Sequence, residues 1–197
     1  MSANTNRETM KNTLLFLIIM TISTVAAAGQ QKLVADAGKT TLNWLGEKVT
    51  GQHNGTIALK DGWISWNDNK IVSGEFSIDM TTIKDADGSE RLEGHLKSDD
   101  FFGVEKFPVS KLVITGSGSF EKGTATVKGN LTIKGVTHPV EFKATRMLKD
   151  DGTYYFANVV VDRTKYNIRY GSGSFFDNLG DKVIYDEFKL KVNLLVK

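Results

Sequence analysis

The sequence contains no cysteine. This absence excludes a disulfide framework, a thiolate metal site and the attachment of lipid to a cysteine after an export signal. The fold must therefore be stabilised by one hydrophobic core. A single domain of this size buries roughly 70% of the surface of its unfolded chain, which is sufficient.

The sequence also lacks an excess of charge of either sign. The 25 basic and 23 acidic residues leave a net charge of +2, which argues against a nucleic-acid partner. The three histidines, His53, His95 and His138, are scattered, and no pair has the i, i+2 or i, i+4 spacing of a metal site. We therefore predict neither a metal site nor a cofactor, and we expect His138, which precedes a proline in a turn, to be exposed.

One apolar run, residues 14–25, is too short to span a bilayer. It follows Lys11 and is followed by three alanines, Ala26 to Ala28, which is typical of a cleavable secretory signal. We predict a signal peptide over residues 1–28 and a periplasmic or secreted domain over residues 29–197. An uncleaved anchor is the alternative, and Met10 is an alternative start.

Most of the remaining chain alternates apolar and polar residues with the two-residue period of a β-strand. Long examples are residues 40–49, 71–83 and 183–196, whereas residues 56–59 and 63–66 resemble two short strands about an Asp61-Gly62 turn. About eight antiparallel segments result, with no spacing for βαβ units. Closure removes both sheet edges, so we predict an all-β fold, a single antiparallel eight-stranded barrel, with a β-sandwich as the alternative.

Residues 89–97 break this alternation. Leu92 and Leu96 lie four residues apart among charged neighbours, which predicts one apolar stripe on a short helix. Gly94 costs this helix about 1 kcal/mol relative to alanine, so the helix must dock on a larger surface. Phe101 and Phe102 follow closely, and the whole segment is interpreted as a plug or lid.

Two motifs carry a resemblance to a known family. Residues 91–108, RLEGHLKSDDFFGVEKFP, and residues 129–140, GNLTIKGVTHPV, resemble the signatures of the YceI-like family of secreted, lipocalin-like, polyisoprenoid-binding proteins. The resemblance implies a lipocalin-like barrel that encloses a long polyisoprenoid chain. Residues 163–168, RTKYNI, resemble a third family pattern, with Lys165 and Asn167 as departures, and residues 169–182 resemble a subfamily insertion.

The candidate ligand-binding residues come from the inward parity of the strands and from the lid. They are Leu42, Trp44, Phe76, Ile78, Met80, Arg91, His95, Phe101, Phe102, Ile114, Phe142 and Phe188. Small residues at inward positions, Gly46, Ala125 and Ala144, would leave room for a ligand. A fully packed core explains the same aromatic residues. Arg91 and His95 are predicted to meet the polar end of the ligand at the barrel mouth.

Three functions remain open from the sequence. The leading hypothesis is an exported, non-enzymatic carrier whose partner is a polyisoprenoid, an isoprenoid quinone or another long apolar lipid. The second is an enzyme that acts on a small lipid or metabolite inside the barrel, for which His95, Ser98 and Asp99 form a conceivable hydrolytic group. The third is a filled barrel that serves as a stress-response or interaction module. The oligomeric state is not set, and a homodimer is one alternative.

Overall fold

The computed structural model describes residues 29–197, so the signal-peptide prediction for residues 1–28 lies outside the described residues. The described chain forms nine β-strands and one α-helix, joined by tight turns and three short 3₁₀ segments. The strands are β1 Gln31–Val34, β2 Thr41–Lys48, β3 Gly51–Asn67, β4 Lys70–Asp85, β5 Val109–Ser117, β6 Thr124–Ile133, β7 Val136–Lys149, β8 Gly152–Asp162 and β9 Ile184–Val196, and the helix is α1 Glu90–Lys97.

The strands form a closed antiparallel barrel. Each strand from β2 to β8 pairs with the next one along the chain, and β9 pairs back with β2. Strand β1 pairs with the part of β3 that β2 does not reach, and Ala35 bridges Val196. The predicted eight-stranded barrel is therefore confirmed, with β1 as a short additional strand on its wall, and the sandwich alternative is excluded.

Strand β3 corrects one expectation from the sequence. The prediction of two short strands about an Asp61-Gly62 turn is wrong, because residues 51–67 form one continuous strand whose register against β4 shifts between Leu59 and Asp61. This β-bulge absorbs the turn-like residues without ending the strand. Gly62 is required for close approach rather than for a turn, since a Cβ atom there would lie 2.2 Å from the Phe76 ring.

Helix α1 connects β4 to β5 at one end of the barrel, and the prediction of a single helix there is confirmed. Ser89 caps its N-terminus by accepting a hydrogen bond from the amide of Leu92. Glu93 is buried against β4, where it accepts hydrogen bonds from the Asp85 amide (3.1 Å) and from Lys84 Nζ (2.9 Å). These contacts and the buried Leu96 dock the helix on the barrel. No helix among the described residues is long and apolar enough to cross a membrane.

The end of the barrel that carries α1 is called the mouth. The β2–β3, β6–β7 and β8–β9 connections lie at the same end, and the β3–β4, β5–β6 and β7–β8 connections lie at the opposite end. His138 lies on β7 near the mouth and is half-buried, with its ring 5.3 Å from that of Tyr166. The expectation of an exposed turn histidine is therefore wrong, because the preceding turn is completed at residues 134–135.

Candidate functional site

The interior of the barrel contains a cavity in two parts. The mouth compartment, about 170 Å³, lies beneath α1, and the deep compartment, about 120 Å³, lies towards the opposite end. Leu42, Ile78 and Leu190 line both compartments and so mark the place where they meet. The walls are almost wholly apolar because the strands alternate, so that one face of each strand supplies aliphatic and aromatic side chains to the interior.

An aromatic cluster lies at the deep end of the barrel. Trp66, Phe120 and Tyr155 pack with ring centroids 5.5 to 6.3 Å apart, and the Arg146 guanidinium lies 4.3 Å from the centre of the Trp66 ring. Burial raises the pKa of Tyr155 to about 12, so its hydroxyl is neutral at physiological pH. This side chain lines the deep compartment and adds no charge to it.

A second aromatic cluster covers the mouth. The lid segment, residues 98–108, follows α1 and brings Phe101 and Phe102 over the mouth compartment, with Phe102 packed on Phe188 of β9 at 6.2 Å between ring centroids. His95 of α1 lies between the rings of Phe101 (5.6 Å) and Tyr170 (4.5 Å). A ligand that enters from this end must displace or pass these rings.

The β6–β7 turn ties the lid segment to the barrel, and an ion pair lies within the segment itself. Lys134 Nζ, in the β6–β7 turn, donates to the Asp99 carbonyl at 2.6 Å, and the Asp99 carboxylate pairs with Lys106 at 2.6 Å. The hydrogen bond from Lys106 lowers the pKa of Asp99. Gly135 has φ +75°, and a Cβ atom there would lie 2.9 Å from the Phe107 ring, so this turn needs glycine both for its backbone and for its contact with the lid.

The structure brings most of the candidate ligand-binding residues to the cavity. Eight of the twelve line the mouth compartment: Leu42, Trp44, Ile78, Met80, His95, Phe101, Phe102 and Phe188. Phe76, Ile114 and Phe142 line the deep compartment. Gly46 and Ala144 also lie on the lining, and Ala125 is buried in the surrounding core. Trp44 is fixed by a hydrogen bond from its indole Nε1 to the Lys84 carbonyl, 3.1 Å.

Arg91 differs from the other eleven candidates. Its side chain is exposed and lines neither compartment. Leu92 and Leu96 direct the apolar stripe of α1 to the barrel, and at about 100° per residue Arg91 lies about 40° beyond His95 at the edge of that face. His95 still reaches the mouth compartment, whereas the Arg91 side chain extends into solvent. The sequence-based grouping of Arg91 with His95 at the mouth is therefore corrected, and Arg91 is left out of the site.

Sequence reasoning missed several residues that line the cavity. Ile57, Ile83, Val159, Leu190 and Val192 all lie on it. Strand parity could have identified Leu190 and Val192, which alternate with lysines in β9. Ile57 was missed because β3 was divided into short pieces, which obscured its register.

Arg163 also borders the mouth compartment, although only 2% of its side chain is exposed. Its guanidinium donates to the carbonyls of Ile168 (2.9 Å), Ile184 (2.9 Å) and Tyr185 (3.1 Å). Burial lowers the pKa of Arg163, and the Asp186 carboxylate, 3.6 Å away, opposes that shift. All three guanidinium nitrogens are therefore engaged by carbonyls of the β8–β9 connection and of the first residues of β9, and the arginine holds this rim in place.

Asp186 completes the support of this rim. Burial raises the pKa of Asp186, but hydrogen bonds from Ser172 and Ser174 and the charge of Arg163 outweigh that effect and leave the pKa lowered. The carboxylate therefore stays ionised at neutral pH, opposite the buried guanidinium. The loop of residues 169–182 is thus anchored at Ser172, which is fully buried.

The conceivable hydrolytic group is not assembled in the structure. The Ser98 hydroxyl donates to the carbonyl of His95 at 2.8 Å, and the Asp99 carboxylate pairs with Lys106. Neither group is therefore directed at the His95 imidazole. In the residues that the structure describes, this arrangement supports a packing role for His95 under the lid.

Comparisons with known proteins agree with this geometry. The family model of the YceI-like domain matches residues 33–196. A UPF0312 protein of Pseudomonas putida (strain W619) is 38% identical over 92 residues, which is 47% of this chain and 48% of that protein. A UPF0312 protein of Shewanella denitrificans is 36% identical over 85 residues, 43% of this chain and 44% of that protein. The matched region thus spans about half the length of these curated relatives.

Solved structures share the fold at low sequence identity. Burkholderia cenocepacia BcnA superposes with a TM-score of 0.70 at 19% identity, covering 83% of this chain and 99% of that one. A polyisoprenoid binding domain from Saccharophagus degradans superposes with a TM-score of 0.61 at 13% identity, covering 84% and 97%. At these identities the likeness establishes the fold.

Proposed function

The chain belongs to the YceI-like domain family, and from this premise we propose that it is a non-enzymatic carrier of a long apolar lipid. The ligand is a polyisoprenoid or an isoprenoid-quinone-like molecule whose chain lies inside the barrel. The proposal is supported by the two apolar compartments inside the barrel, which lie next to each other and share Leu42, Ile78 and Leu190 in their walls. The solved polyisoprenoid binding domain of the same fold supports this ligand class.

Burial of the chain is sufficient to explain binding. Each buried CH₂ contributes about 0.8 kcal/mol, so ten to fifteen carbons contribute roughly 8–12 kcal/mol before association costs of several kcal/mol. About 4–8 kcal/mol then remains, so the longer chains of this range reach micromolar affinity. A forty-carbon chain would nominally pass the limit of about −20 kcal/mol, so ordering and incomplete burial must reduce the gain for long ligands.

Apolar burial discriminates little between chains, so selectivity must come from cavity length and from the few polar groups at the mouth. His53, His95 and Ser110 line the mouth compartment. We place the polar end of the ligand among these side chains. The carrier function is favoured over catalysis because Ser98 and Asp99 are engaged away from His95.

We also propose that the protein is exported and acts in the periplasm or outside the cell. The support is the short apolar run of residues 14–25 with Ala26 to Ala28 after it. Intact-mass analysis of the exported protein tests this: loss of residues 1–28 is expected, and a product that retains the apolar run would contradict it.

A chain-length series tests the carrier function. A variant that keeps Trp44 as its single tryptophan, Trp63→Phe with Trp66→Phe, is titrated with prenyl alcohols of increasing length while Trp44 fluorescence is followed. Kd is expected to fall with each added isoprene unit and to level off once both compartments are filled. Absence of binding at every length, or an affinity independent of chain length, would contradict the proposal.

A further inference from the structure

Three potential metal ligands meet at the rim of the mouth. His53 comes from β3, Asp85 ends β4, and Asp87 lies in the turn before α1. One donor atom from each of the three lies within 4.8 Å of the other two. The antiparallel register explains the meeting, because Gly55 of β3 pairs with Asp85 and so places His53 beside the end of β4.

Two of these donor atoms are buried and unpartnered. Only 1% of the Asp85 side chain is exposed, and its Oδ1 has no hydrogen-bond partner within residues 29–197. His53 Nδ1 is also buried without a partner, and it lies 4.0 Å from that oxygen. Buried polar atoms are nearly always paired, because an unpaired one carries its full desolvation cost. Two such atoms only 4.0 Å apart indicate a missing group between them.

The remaining contacts of Asp85 hold its carboxylate in place. Oδ2 accepts a hydrogen bond from the Ser89 amide at 3.1 Å, and the Asp85 amide donates to the buried Glu93. The first residues of α1 therefore orient the carboxylate, as outer partners orient the ligands of a metal site. Oδ1 is left directed towards His53.

We propose that His53, Asp85 and Asp87 bind a divalent transition-metal ion of the Zn²⁺ type. An imidazole nitrogen with two carboxylate oxygens suits such ions, whereas Ca²⁺ and Mg²⁺ prefer six or more oxygen ligands. Ligand bonds of about 2.0–2.2 Å place tetrahedral donors roughly 3.3–3.5 Å apart. His53 and Asp85 need to approach by about half an ångström, and the partly exposed His53 side chain can make this movement. Three protein ligands leave a position for water or for an oxygen of a bound ligand.

A direct ion pair between protonated His53 and Asp85 is the competing explanation. A separation of 4.0 Å exceeds hydrogen-bond length, so this pair would leave both buried atoms without a partner. It also gives no role to Asp87, whose carboxylate has an oxygen within 4.8 Å of a donor atom of each of the other two residues. A metal ion satisfies all three donors at once.

Zinc binding by the purified, chelator-treated protein tests the site without any lipid, so its outcome is independent of the carrier function. Calorimetric titration with ZnCl₂ is expected to give one site per chain, and zinc at a hundredfold excess over Kd is expected to raise Tm by about 5–10 °C. MgCl₂ at the same concentration should leave Tm unchanged. Absence of zinc binding would overturn the proposal. So would an effect of His53 on Tm that changes with pH and does not change with zinc.

Variants locate the site. Asp87 is exposed in the turn before α1, so Asp87→Asn should fold and weaken zinc binding at least tenfold. His53→Gln should do the same. His138→Gln is the matched control, since His138 lies on β7 outside the cluster, and its Kd should equal that of the parent. Equal losses in His53→Gln and His138→Gln, or no loss in Asp87→Asn, would overturn the assignment.

Discussion

Filling the mouth compartment from Gly46 should block the ligand while preserving the barrel. Gly46 lies on β2 two residues after Trp44, lines the mouth compartment and has no atom within 4 Å of the position that a Cβ atom would occupy. A phenylalanine at this position can therefore project into the cavity without a backbone clash. The Gly46→Phe substitution replaces cavity space with side chain.

The magnitude follows from the carbon atoms exchanged. The phenylalanine side chain has seven carbons and displaces a similar length of ligand, which removes up to about 6 kcal/mol of chain burial at roughly 0.8 kcal/mol per CH₂. Because a flexible chain can fold around part of the obstacle, we expect a loss of about 3–6 kcal/mol, or a hundredfold to ten-thousandfold in Kd. Stability should rise by about 0.5–1 kcal/mol, since glycine weakens a strand interior.

The assay measures Kd for a C20 or longer prenyl lipid by Trp44 fluorescence and measures Tm of the same samples. Asn43→Phe is the matched control, because Asn43 is the exposed residue on the opposite face of the same strand. This control should keep the parental Kd. If Gly46→Phe binds as tightly as the parent while its Tm is maintained, the ligand does not occupy the mouth compartment and the reasoning fails.

Three further predictions address the rim, the helix and the head-group. Arg163→Gln should lower the free energy of unfolding by about 3–5 kcal/mol, because the rim carbonyls and Asp186 lose a buried charged partner. The Tm should therefore fall by roughly 6–20 °C. An unchanged Tm would show that the rim does not depend on Arg163. The hydrogen bond from Lys84 lowers the pKa of Glu93 from 4.5, so the ionised Glu93 side chain stabilises the fold above about pH 4.5 and this contribution is lost as pH falls through the folded pKa. The Tm of Glu93→Gln should therefore fall less between pH 5 and pH 3 than the Tm of the parent. An equal fall of Tm in both proteins would contradict this. His95→Ala should weaken the binding of a prenyl lipid that carries a polar head-group more than the binding of the same chain without it. Arg91→Ala should change the affinity for neither ligand. A loss of affinity in Arg91→Ala for the lipid with the head-group alone would place the head-group at the exposed side of α1.

The strand parity of the sequence identified much of the cavity. The cavity is lined by Leu42, Ile78 and Phe142, as the alternation of the strands predicts. Each side chain of a closed barrel points either inwards or outwards, so the parity of a residue decides its face. The short helix was also recognisable, since Leu92 and Leu96 form one stripe and Ser89 supplies an N-cap. Local patterns suffice where a single period determines which way a side chain points.

Other features depend on contacts between distant residues. Gly62 looked like a turn residue, yet it is glycine because the Phe76 ring of the next strand lies against it. The meeting of His53 with Asp85 depends on the register of β3 against β4, which spacing along the chain does not reveal. Strand β1, four residues long, is too short for alternation to be distinguished from chance.

Native mass spectrometry of the protein purified from its producing cells tests the carrier function most directly. One bound lipid per chain is expected, released by organic solvent and identified as a long apolar chain such as a polyisoprenoid or an isoprenoid quinone. A protein that carries the mass of its polypeptide alone, and that takes up none of these lipids when they are added to it, would contradict the carrier function.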